Sequence, residues 1–105
     1  MQKLDPKYEA LFTPWQVGNV EIKNRIVMCP MGGTSLFGWF ELGGCHFDKE
    51  AAKLFLERAN NNVGLIIPGI APLRDTFWGK WLWQNPKMFE ELKVFMDEIH
   101  KTGAK

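Results

Sequence analysis

The run Lys23-Asn24-Arg25-Ile26-Val27-Met28-Cys29-Pro30-Met31 passes from a polar triplet into four consecutive apolar residues and stops at a proline. A strand with one wet face alternates apolar and polar residues. A run without alternation fits a strand covered on both faces, as in a parallel sheet. A second run of this kind, Val63-Gly64-Leu65-Ile66-Ile67, is closed by Pro68-Gly69. Between the two, Asp48 is placed to cap a helix running to about Asn61. Ala52, Phe55 and Ala59 share one face of that helix, joined by Ala51 and Leu54, and charged residues populate the rest. Asn60-Asn61-Asn62 reads as its stop.

Upstream, residues 1–14 form a polar lead-in with one apolar anchor, Leu11-Phe12. Trp15-Gln16-Val17 and Val20-Glu21-Ile22 alternate around Gly18-Asn19, a two-residue β-hairpin signal of type I′ or II′. Downstream, Asn85-Pro86 pairs a capping residue with a proline at the first helical position. Phe89, Leu92, Phe95/Met96 and Ile99 then recur every three to four residues, and Gly103 follows as the natural C-cap. The order is hairpin, strand, helix, strand, helix, which predicts an α/β fold with a parallel sheet. Two strands leave edges and apolar surface uncovered. The sequence therefore reads as cut, with a third strand expected directly after Lys105.

The composition excludes several classes. Thirteen basic and 12 acidic residues give a net charge of +1, no footprint for nucleic acid. No stretch approaches the roughly 20 apolar residues of a membrane span, and residues 1–9 are too polar for a signal peptide. The cytoplasm is the expected location. Cys29 and Cys45 make no CxxC pair, and Cys45-His46 alone is a poor metal site. Five tryptophans and eight phenylalanines are a heavy aromatic load, with Trp78, Trp81 and Trp83 crowded together. Such a patch is either packed or covered by a partner.

Chemistry, if present, belongs to the two strand ends, Cys29 to Thr34 and Pro68 to Ala71. Glycines there either make turns or let a flat ring approach the backbone. Residues 23–31 resemble the first barrel strand of the old yellow enzyme family, the NADH:flavin oxidoreductases. Phe12-Thr13-Pro14 with its hairpin is similar to that family's barrel floor, Gly64-Leu65-Ile66-Ile67 to its second strand, and Ile99 through Ala104 to the end of its second helix. The nearest branch holds the 2-enoate reductases, 2,4-dienoyl-CoA reductases and bile-acid-type flavin oxidoreductases.

The resemblance implies that the chain is an N-terminal fragment, the hairpin plus the first two βα units, of a TIM (β/α)8 barrel. It implies FMN packed on the end of the first strand along Cys29, Pro30, Met31 and Gly32, and bounded by Gly69 and Ile70 from the second. NAD(P)H is the implied reductant, and an activated enoate or enone C=C bond the implied substrate. No residue is assigned a catalytic role: the family's phosphate loops, substrate-anchoring pair and tyrosine proton donor find no match here. Gly32 stands where the family often has a Thr or Cys that tunes the flavin. In the enoate-reductase branch an iron–sulfur cluster and an FAD domain follow the barrel, and Cys29 and Cys45 do not match that cluster's cysteine run. Such a barrel takes about 250 residues to close. The 105-residue chain is therefore expected to be inactive alone, and to self-associate or pair with a partner through its open strand edges. The rival reading is a non-catalytic α/β interaction module using those same edges.

Overall fold

A 3-10 helix, Pro6–Phe12, leads the chain in the computed structural model, which describes residues 3–30, 47–68 and 86–105. The Asp5 carboxylate caps it, accepting from the Lys7 N–H at 3.1 Å. The expected apolar anchor at Leu11-Phe12 is not one: both side chains are exposed. The anchoring runs through polar groups instead. The Arg25 N–H donates to the Leu11 carbonyl at 2.8 Å, and Arg25 Nε donates to Thr13 Oγ1 at 3.0 Å. The hairpin follows as β1 (Trp15–Val17) and β2 (Val20–Ile22), with Trp15 opposite Ile22 and Val17 opposite Val20. Gly18 has a φ of +59° and Asn19 does not turn positive, which selects type II′ from the two turns the sequence allowed.

β3 (Val27–Met28) and β4 (Leu65–Ile66) pair in parallel, Val27 with Leu65 and Met28 with Ile66. Both are shorter than the apolar runs that predicted them. α1 (Lys49–Asn60) connects them, and α2 (Pro86–Lys101) follows β4. Ala52, Phe55 and Ala59 of α1 and Phe95 and Ile99 of α2 form the buried cluster, and Met28 and Ile66 pack against it. Burying a side chain of phenylalanine size contributes about 1.5–3 kcal/mol. Met28 and Ile66 are register partners and so point to the same face of the sheet, which means that both helices cover that one face. After α2 the chain returns to the sheet. The Lys105 N–H donates to the Gly64 carbonyl at 3.0 Å, and the Ile66 N–H donates to the Lys105 carbonyl at 2.8 Å. This is a parallel rung on the free edge of β4. The order across the sheet is β3, β4, Lys105, advancing in one direction.

The helix ends follow local chemistry. Asp48 accepts from the N–H groups of Glu50 and Ala51, each at 3.0 Å, as its place in the sequence predicts. The asparagine triplet divides its work. Asn60 is the last helical residue, and Asn61 bonds back to the Glu57 carbonyl through its side chain at 2.8 Å. Asn62 takes a φ of +74°, the left-handed conformation that closes helices. At the end of α2, Gly103 adopts a φ of +89°, and the Lys23 ammonium donates to the Thr102 carbonyl at 3.1 Å. A cation at that place also complements the helix dipole.

The joint between these parts is Asn24, a polar residue only 2% exposed. Its Nδ2 donates to the Asn62 carbonyl at 2.7 Å, and its Oδ1 accepts from the Ile26 N–H at 3.0 Å. Its own carbonyl accepts from Trp15 Nε1 at 2.6 Å. One residue thus ties the hairpin, β3 and the exit of α1. Gly64 makes the room: a Cβ there would lie 3.0 Å from Asn24 Cγ and closer still to Oδ1. The glycine is required by this close approach, since an amide left buried without its bonds costs roughly 1–3 kcal/mol.

The apolar stripe of α2 follows the prediction at Leu92, Phe95, Met96 and Ile99 and departs from it only in the first turn. Met88 is buried and Phe89 is exposed. Met88, Phe95 and Ile99 are related by helical spacings of seven and four, whereas Phe89 sits about 100° around the axis.

Two outcomes follow for chemical denaturation. Asn24→Ala and Gly64→Ala should each destabilise by about 1–3 kcal/mol. In the double variant the penalties should fall short of their sum, because an alanine at 24 vacates the space that a Cβ at 64 needs. Met88→Ala should cost about 2–5 kcal/mol and Phe89→Ala no more than about 0.5 kcal/mol, the reverse of what the bare sequence pattern would suggest.

Candidate functional site

The site is built from the ends of two adjacent strands. In the parallel ladder the Leu65 N–H donates to the Ile26 carbonyl at 3.3 Å, and the Ile67 N–H to the Met28 carbonyl at 3.0 Å. The next rung would run from the N–H of residue 30 to the Ile67 carbonyl, and residue 30 is a proline with no N–H. The same holds one strand over. Beyond the rung at Lys105, the ladder would call on an N–H from residue 68, which is also proline. Val27 is level with Leu65, so Pro30 is level with Pro68. The ladders stop at the same height, and the Ile67 carbonyl receives no ladder bond there.

The face turned away from the helices is apolar. Val27 and Leu65 are half-buried on it, opposite to Met28 and Ile66. Alternation along each strand continues that face to Cys29 and Ile67, both exposed. Cys29 is a free thiol. Of the six residues expected at a cofactor, the structure places Cys29 and Pro30 together at this rim, both exposed. Met31, Gly32, Gly69 and Ile70 lie outside the described residues, as do Thr34, His46, Asn85 and Trp39, Trp78, Trp81 and Trp83. His100 is exposed in the last turn of α2, away from the strand ends. The sequence reading missed the Ile67 carbonyl. The signal was available in the matched offsets of the two prolines, but it needs the strand register to become visible. Among the described residues no group of three or more His, Cys, Asp or Glu is placed to hold a metal ion. No helix among them is long and apolar enough to cross a membrane.

The family model for the NADH:flavin oxidoreductase / NADH oxidase family matches residues 10–105. The chain belongs to that family. It is 38% identical over 64 residues to the cinnamate reductase of Clostridium sporogenes, covering 61% of this chain and 9% of that protein. Its structure is similar to that of Old Yellow Enzyme from Pichia sp. AKU4542, with a TM-score of 0.63 and 25% identity. That match covers 90% of this chain and 24% of the other. The chain thus spans a small part of the length of each protein it matches. Together these similarities put it in the old yellow enzyme family, on the enoate reductase branch. Membership implies FMN as the flavin and a reduced nicotinamide as the electron source. The described residues fit such a group. A flat ring has an exposed apolar rim to cover at Cys29 and Ile67, and a backbone carbonyl outside the ladder to bond at Ile67.

Proposed function

We propose that these residues form the first two βα units of the FMN-binding (β/α)8 barrel of an oxidoreductase that reduces activated C=C bonds of enoate or enone type with NAD(P)H. The observation that carries the barrel reading is the direction of winding. β3, β4 and Lys105 advance one way across the sheet while α1 and α2 cover one face. An open doubly wound sheet places helices on both faces; a barrel keeps them all outside. The enoate reading is supported by the similarity to a cinnamate reductase. FMN supplies hydride transfer between the nicotinamide and the substrate.

The chain's own residues bind and orient. Cys29, Pro30, Met31 and Gly32 run along the ring, with Gly69 and Ile70 bounding it from the neighbouring strand. Pro30 and Pro68 end the ladder so that the backbone beyond can turn toward a ligand rather than continue pairing. The apolar pair Val27 and Leu65 excludes water beneath the site. Gly32 offers no side chain to tune the flavin, which leaves its backbone as the group in contact. An iron–sulfur cluster and FAD, present in this branch beyond the barrel, would be held by other segments. The cytoplasm is the proposed location.

Flavin content is the test. A polypeptide joining these residues to the remaining barrel strands should purify with FMN and show its absorbance; one that folds without flavin would overturn the reading. In that protein Gly32→Val should lower the FMN retained after dialysis, because a branched side chain would stand where the ring approaches the backbone. Unchanged retention would remove Gly32 from the site. The 105-residue chain alone should give no steady NAD(P)H oxidation coupled to enoate reduction. Positioning and electrostatic stabilisation each supply several kcal/mol of a catalysed barrier, and residues matching the family's phosphate loops and proton donor are not among these.

A further inference from the structure

We draw no further inference here: the strongest candidate, the exposed groove between α1 and α2 that holds Phe47 and Val94 between a lysine rim and a glutamate rim, carries nothing because nothing in the structure shows what covers it.

Discussion

The buried amide of Asn24 sits over a glycine, and the lower half of the molecule is organised around that contact. Its three hydrogen-bonding groups reach the indole of Trp15, the backbone of Ile26 and the turn at Asn62. Each partner belongs to a different element. Apolar packing between helices and sheet tolerates small slides, whereas a hydrogen-bonded amide in a site with no spare volume does not. The register of β3 against β4 is set where Asn24 fills the space above Gly64. From that register follow the rung at Lys105 and the level ends of the two strands.

Those level ends matter because parallel strands have no intrinsic place to stop. Ladder hydrogen bonds continue as long as both chains supply donors. Proline removes the donor, and two prolines at matching register remove it at one height across neighbouring strands. The result is a rim where the Ile67 carbonyl receives no ladder bond. A flat cofactor that binds largely through backbone groups requires such a rim. The asparagine joint lies at the opposite, N-terminal end of the same strands. The contact that fixes the register and the rim where the ladder stops are thereby separated along a few residues of β-structure.

Much of this was legible in the sequence because it is local. The caps at Asp48 and Gly103, the turn at Gly18-Asn19, and the face made by Ala52, Phe55 and Ala59 depend on residues within a turn or two of each other. The unbroken apolar runs announced parallel strands, but these are half-buried with helices on one face only, and hydropathy extended them past the point where prolines end the pairing. The pattern failed where two residues competed for one role. Met88 and Phe89 are both apolar neighbours at the start of α2, and only the packing phase decides between them. It failed also where apolar residues serve through their backbone, as Leu11 does toward Arg25. In the sequence Asn24 stands out only as part of a motif. Its role rests on contacts to residues 38 and 40 positions away, and no periodicity encodes those.

The site shows the same division between local and non-local information. That Cys29 and Pro30 follow the end of a strand is legible in the sequence, but the Ile67 carbonyl becomes visible only through register. A carbonyl has no sequence signature, since every residue carries one. What singles it out is the missing donor at residue 30, three positions beyond Val27, facing a proline three positions beyond Leu65. Residue identity thus acts on this site by subtraction. Proline takes away an N–H, glycine takes away a Cβ, and what remains exposed is backbone. A ligand bound through backbone at this rim would leave the neighbouring side chains, Cys29 and Ile67 among them, able to vary without loss of the bonding groups.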